Sequence, residues 1–74
     1  MADTKPFDFL NSSINKNVLI LMKGNMRIRG KLKAFDVHMN LVLEDAEKLN
    51  EDDSVAQKFS KVIIRGDTII LVSP

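Results

Sequence analysis

The fold is decided by residues 30–47, GKLKAFDVHMNLVLEDAE, in which two alternating apolar and polar patterns flank a short polar turn, Asp36–Asn40. Before the turn, apolar residues at every second position (Met26, Ile28, Leu32, Ala34) alternate with cations (Arg27, Arg29, Lys31, Lys33). After it, Met39, Leu41 and Leu43 alternate with Asn40, Val42 and Glu44. A period of two is typical of a strand, so two paired strands joined by this turn are predicted.

Three further strands follow from the rest of the chain. The unbroken apolar run Val18–Met22 predicts a strand buried on both faces, and Gly24-Asn25 predicts a two-residue hairpin turn after it. Lys58–Ile64 and Thr68–Val72 predict the fourth and fifth strands. We expect a two-residue hairpin at Gly66-Asp67 between these two, with the positive φ of a type II′ turn at the glycine.

Other features complete the predicted architecture. A short helix is predicted over residues 6–13, with Pro6 in its first turn and with Phe7, Leu10 and Ile14 on one face. Gly30, in the middle of a strand, indicates a bend or a close backbone approach, by which a small sheet curls into a barrel. The third strand is expected to end near Ala46, and residues 48–57 to form a variable acidic loop.

Composition limits the classes of function. Seventy-four residues predict a single domain over residues 1–74, which buries only roughly 60% of its unfolded surface. With one histidine, no cysteine and no glycine-rich phosphate loop, the sequence predicts neither an enzyme nor a metal or cofactor site. No apolar run approaches the roughly 18 residues that span a bilayer. We therefore expect a soluble cytoplasmic protein.

The charges are distributed unevenly. Residues 23–33 contain five cations and no acid, and residues 44–53 contain six acids and one lysine. The basic segment could attract phosphate. The alternative, which the sequence favours, is that these cations form the solvated face of an amphipathic strand.

The last two strands are apolar on both faces. Val62–Ile64 and Ile69–Val72 cannot all be covered within one small sheet, and exposed apolar edges pair with a neighbouring chain. Such a contact is heterologous and closes a ring if the rotation allows. The strands therefore predict an oligomer.

Over residues 6–73 the chain resembles the Sm and Sm-like (LSm) family. The resemblance lies in GKLKAFDVHMNLVLEDAE, within a first motif at residues 17–47, followed by KVIIRGDTIILVS, within a second motif at residues 58–73. The compact length, the RGD turn and the VSP ending are most similar to archaeal Sm-like proteins. The sequence has Ala34 where many relatives have glycine, and Asn25 where glycine or another small residue is frequent.

The resemblance implies an all-β Sm fold with one short N-terminal helix: a strongly bent, five-stranded antiparallel open barrel close to SH3-like barrels. It also implies a homo-oligomeric ring, a heptamer in archaeal members, in which the fourth strand pairs with the fifth strand of the next subunit. Such rings bind single-stranded uridine-rich RNA at the central pore without a cofactor, and act in RNA processing, stabilisation or chaperoning. Other RNA-processing proteins would be further partners.

The resemblance also implies roles for six residues. His38 would stack on a base and Arg65 would cover its other face, while Asn40 would hydrogen-bond the uracil edge. Asp36 would orient Asn40, and the pair Gly66-Asp67 would complete the pocket. The chemistry agrees, because single-stranded RNA is recognised by stacking on planar groups and by hydrogen bonds to exposed base edges.

Simpler interpretations exist for the same residues. His38 alone is more often a turn residue, and Asp36 and Asn40 could only satisfy backbone groups of the turn. Residues 65–67 could form a plain hairpin, or an RGD adhesion tripeptide that nothing else in the sequence supports. A ring that recruits proteins through its helix or its acidic loop is the alternative function.

Overall fold

The computed structural model describes residues 5–74, so the first four residues of the predicted domain lie outside the described part. Residues 5–74 form one helix, five strands and a short 3-10 turn. Their bounds are α1 Pro6–Ser12, β1 Asn17–Met22, β2 Met26–Phe35, β3 Leu41–Leu49, β4 Val55–Ile64, the 3-10 turn Gly66–Thr68 and β5 Ile69–Ser73. All neighbouring strands are antiparallel, in the spatial order β4-β3-β2-β1-β5. The predicted five-stranded antiparallel sheet with a short N-terminal helix is confirmed.

The core lies on the inner side of the curled sheet. Its members are aliphatic residues of α1 and four of the strands: Leu10, Val18, Ile20, Ile28, Leu32, Leu41, Leu43, Ala46 and Ile64. In β1, Val18 and Ile20 are buried, whereas Leu19 and Leu21 are only half-buried. The prediction that β1 is buried on both faces was wrong, because only one side of a single curled layer faces the core.

The helix covers one part of this core. Leu10 is fully buried, and Ile14, just beyond the helix, is half-buried. Phe7 was predicted on the same buried face but is 57% exposed. Its ring packs edge-on against Phe35, with the two ring centroids 5.1 Å apart, and Phe35 is a half-buried residue that packs against the core.

The close backbone approach predicted at Gly30 is present in β2. Between the pairs Arg29–Glu47 and Lys31–Glu44, one residue of β2 faces two residues of β3, which is a β-bulge. A Cβ at Gly30 would lie 3.0 Å from the Cα of Ala46, so glycine permits this close approach.

A second irregularity in the β2–β3 register lies between Leu32 and Ala34. It interrupts the alternation of β2, because Ala34 is exposed although the period of two places it with the core residues. The bulged register turns its side chain out of the barrel.

Two predicted connections, β1–β2 and β3–β4, differ in length in the structure. The β1–β2 turn has three residues, Lys23-Gly24-Asn25, with φ of 80° at Gly24 and 59° at Asn25. The β3–β4 pairing continues to Leu49 and Val55, beyond the predicted end at Ala46. The acidic loop is therefore residues 50–54, not 48–57. Opposite charges paired across the strands, such as Glu47 with Lys58, favour the longer hairpin.

The predicted β4–β5 hairpin was wrong. The two strands lie at opposite edges of the sheet, and β5 pairs with β1. The 3-10 turn carries the chain across the barrel, and Gly24, not Gly66, is the glycine with a positive φ. Within residues 5–74, no helix is long and apolar enough to cross a membrane.

Candidate functional site

Two polar turns lie in contact at one end of the barrel. The first turn is residues 36–40, between β2 and β3, and the second turn is residues 65–68, between β4 and β5. The Gly66 N–H donates a hydrogen bond to Asn40 Oδ1 over 2.7 Å, across a separation of 26 residues. A Cβ at Gly66 would clash with the His38 carbonyl oxygen and would lie 2.8 Å from the carbonyl carbon of Met39. The prediction that the two turns meet is confirmed, and Gly66 is required by this close contact.

The carboxylate of Asp36 organises the first turn. Asp36 Oδ1 accepts from the backbone N–H groups of His38 and Asn40, over 2.9 and 3.0 Å. Asp36 Oδ2 accepts from Asn40 Nδ2 over 3.0 Å. The carboxamide of Asn40 is thus held between Asp36 and Gly66. It keeps one N–H and one oxygen lone pair for a further partner.

The same hydrogen bonds set the protonation of Asp36. The Asn40 carboxamide, together with the two backbone N–H donors, holds the pKa of Asp36 below its ordinary value of 3.8. These donors bind the ionised carboxylate, so the contacts that orient Asn40 are fully present at pH values above the ordinary pKa of Asp36. As the pH falls through the lowered pKa, Asp36 is protonated and its contribution to the stability of the turn is lost.

We therefore predict a carboxyl titration of Asp36 with a midpoint below 3.8. The measurement is a ¹³C NMR titration of the Asp36 side chain. Asn40→Ala should raise the midpoint, because the carboxamide is the largest cause of the shift. Asp52, whose pKa is lowered mainly by the Ser54 hydroxyl, is the internal control and should not respond to that substitution. An unchanged Asp36 midpoint in Asn40→Ala would contradict the proposed role of the carboxamide.

The second turn presents a guanidinium to solvent. The Arg65 side chain is 77% exposed, and its Nη2 lies 3.0 Å from Asp67 Oδ2. An exposed pair of this kind adds little stability, but it orients the plane of the guanidinium. The hydroxyl and the N–H of Thr68 both donate to the Arg65 carbonyl oxygen, over 2.6 and 3.1 Å, and fix the backbone of the turn.

The two turns border an open groove of about 440 Å³. Its lining residues come from β2, β3, β4 and both turns: Ala34, Phe35, Asp36, Asn40, Val42, Ile63 and Arg65. Sequence reasoning missed the apolar walls Phe35, Val42 and Ile63, whose signal was their position next to the polar turns. His38, Gly66 and Asp67 lie beside the groove and not in its lining. His38 is exposed.

Two of the four cations on the basic face of β2 lie in ion pairs. Arg27 pairs with Asp53 and also donates to the Asn50 carbonyl oxygen, and Arg29 Nε donates to Glu47 Oε1 over 2.8 Å. From β4, lysines approach the acids of β3, with Lys61 Nζ 3.5 Å from Glu44 Oε2. This arrangement supports the interpretation of a solvated strand face.

A helix-capped, strongly bent barrel of five strands, with two polar turns locked together at one end, defines a protein of the Sm class. The family model described as LSM domain matches residues 8–74. The snRNP Sm-like protein of Methanosarcina acetivorans is 49% identical over 70 residues, which is 95% of this chain and 96% of the relative. The chain belongs to the LSM-domain family, as the resemblance to archaeal Sm-like proteins predicted.

Two solved structures of Sm proteins are similar to this chain. The Sm protein of Pyrococcus abyssi in complex with a uridine heptamer has a TM-score of 0.92 and 37% identity, covering 96% of this chain and 99% of that chain. A heptameric archaeal Sm protein has a TM-score of 0.83 and 39% identity, covering 89% of this chain and 94% of that chain.

Proposed function

We propose that this protein is a subunit of a homo-oligomeric, heptameric ring that binds single-stranded uridine-rich RNA at its pore. The observation that carries the proposal is the carboxamide of Asn40, held by Asp36 and Gly66 with one donor and one acceptor still available. The similarity to an Sm protein in complex with a uridine heptamer and to a heptameric Sm protein supports both parts of the proposal.

Asn40 fits the edge of uracil. Its remaining N–H can donate to a base carbonyl, and its remaining lone pair can accept from the ring N–H beside that carbonyl. Adenine presents a different arrangement of donors and acceptors on its edge. Because Asp36 prevents rotation of the carboxamide, the donor and the acceptor keep fixed places.

His38 and Arg65 supply the two planar groups of the pocket. An imidazole and a guanidinium can stack on opposite faces of one base. Asp67 orients the guanidinium, and Gly66 holds the second turn against the first. Binding therefore requires no catalytic group, metal or cofactor, and the protein acts as a binding module in RNA processing, stabilisation or chaperoning in the cytoplasm.

The two edge strands supply the ring contacts. β4 and β5 each have one edge without a partner strand in the described residues. Apolar side chains on these strands are exposed: Ile63 is 68%, Ile70 is 58% and Leu71 is 47% exposed. Pairing of β4 with β5 of the next subunit would cover them and close a ring.

Recruitment of proteins by the acidic hairpin tip is less well supported as the main role. Asp53 pairs with Arg27, and Asp52 accepts hydrogen bonds from Ser54. These two carboxylates therefore already have partners within the subunit.

The test is a length series of oligouridines, measured by fluorescence anisotropy at fixed salt. Each stacked base contributes about 1–3 kcal/mol, so one pocket binds weakly. Linked pockets act together through effective concentration. Affinity should therefore rise steeply up to one base per subunit and then level off. Oligoadenine of matched length is the control and should bind more weakly. Equal affinity for a trinucleotide and a decanucleotide would refute the ring of pockets.

A further inference from the structure

We infer that Lys23, in the β1–β2 turn, binds a phosphate of the RNA and completes the RNA site. This inference rests on the proposed function and adds a residue outside the six that the resemblance indicates. It concerns the charge of the RNA backbone and not the identity of the base.

The proposed base site lacks the positive charge that an RNA backbone requires. Among its residues, Asp36 and Asp67 are acidic and Arg65 is the one permanent cation, so with a neutral His38 the site is net negative by one unit. Arg65 is also already paired with Asp67. Protein cations that neutralise phosphates supply much of the affinity for nucleic acids, so a further cation beside the pocket would strengthen RNA binding.

Several other cations of the chain are engaged elsewhere. The ion pairs described above occupy Arg27, Arg29, Lys58 and Lys61 with acids of β3 and the β3–β4 hairpin. Lys33 Nζ donates to Asn15 Oδ1 over 2.7 Å, at the connection between α1 and β1. Lys31 lies opposite Asn17 and Glu44 in the middle of the sheet.

Lys23 is tied directly to the second turn. Its backbone N–H donates to the Thr68 carbonyl oxygen over 2.8 Å, and the residue before it, Met22, is paired with Ile69. Lys23 is exposed and forms no ion pair within residues 5–74. A long, flexible ammonium side chain is therefore anchored beside the turn that holds Arg65. In a closed ring, each subunit would place one such lysine beside its base pocket.

The geometry allows the side chain of Lys23 to be tested separately from its backbone contact. The hydrogen bond to Thr68 uses the backbone of Lys23, so replacement of the side chain leaves that hydrogen bond in place. The variants are Lys23→Ala, Lys23→Gln and the charge-preserving Lys23→Arg. The matched control is Lys31→Ala, which removes a lysine of the same charge from a strand away from both turns.

Each variant ring, verified by native mass spectrometry, is titrated with heptauridine and heptaadenine at salt concentrations from about 50 to 200 mM. Lys23→Ala and Lys23→Gln should weaken heptauridine binding and flatten the dependence of log affinity on log salt. On a single strand the slope should fall by about 0.7 for each phosphate that is no longer neutralised. Both variants should keep the preference for uridine. Lys23→Arg and Lys31→Ala should keep the wild-type slope.

The inference would be overturned if Lys23→Ala and Lys23→Gln bound heptauridine with the affinity and the salt dependence of the wild type. It would also be overturned if Lys31→Ala reduced the salt dependence as much as the Lys23 variants do. If the wild type prefers heptauridine while the Lys23 variants behave like it, only the role of Lys23 fails. If the wild type does not bind heptauridine, the proposed function and this inference fail together.

Discussion

Gly66→Ala is expected to abolish measurable binding of heptauridine at concentrations that saturate the wild type. The added methyl group would clash with the carbonyl oxygen of His38 and crowd Met39. These are backbone atoms that cannot rotate away, so the two turns must separate. Overpacking of this kind costs about 1–3 kcal/mol, and breaking the Asn40–Gly66 hydrogen bond adds about 1 kcal/mol. Every 1.4 kcal/mol is about tenfold in affinity, and all pockets of the ring are affected together.

Gly30→Ala is the matched control, because it places the same methyl group against backbone at a distance from the turns. Its Cβ would lie 3.0 Å from the Cα of Ala46. It should lower the melting temperature of the ring, yet the folded ring should still prefer uridine. Binding is measured by anisotropy and stability by thermal unfolding. Near wild-type affinity in Gly66→Ala would show that contact between the turns is not needed for RNA recognition.

Ile70→Lys is expected to convert the ring into monomers at micromolar concentration. Ile70 lies on β5, which is an edge of the sheet, and is 58% exposed in the single chain. Pairing with β4 of a neighbour would bury it, and an unpaired ammonium in an apolar contact costs several kcal/mol. The monomers should bind long and short oligouridines with equally low affinity, because no linked pockets remain.

Glu51→Lys is the control for Ile70→Lys. It introduces the same side chain at an exposed position of the β3–β4 hairpin tip, between the strands and not on an unpaired edge. This variant should keep the oligomeric state of the wild type. Native mass spectrometry and sedimentation measure the oligomeric state of both variants. An intact ring in Ile70→Lys would exclude the β5 edge as the subunit contact.

Local patterns in the sequence were sufficient to predict the strands β2 and β3, the role of Gly30 and the two polar turns. The alternation through β2 and β3 correctly indicated two paired strands, because a strand with one buried face shows its period in the sequence. Gly30 marked the close approach of β2 to β3, since such an approach excludes a side chain. The polar residues of the two turns were apparent because they interrupt apolar runs.

Some details depended on longer-range packing. Phe7 shares a helical face with Leu10, but whether that face is covered depends on where Phe35 lies. The length of the acidic loop depended on cross-strand pairs such as Glu47–Lys58, which keep the β3–β4 hairpin ordered beyond its polar sequence. Equally, the cations of β2 form an alternating pattern in the sequence, but the ion pairs of Arg27 with Asp53 and of Arg29 with Glu47 are visible only in the folded sheet.

By itself, the sequence determined the number and order of the helix and strands, the buried face of β3 and of β2 as far as Leu32, and the polar residues of the two turns, Asp36, His38, Asn40 and Arg65. Only the tertiary structure decided that β4 and β5 lie at opposite edges, that Gly66 is needed for contact and not for a positive φ, and that Lys23 lies beside the second turn. The physical reason is the separation of the contacting residues along the sequence. Periodicity reports the burial of residues close in the chain, whereas these contacts join segments far apart in sequence, and the curvature of the bent sheet sets their distances.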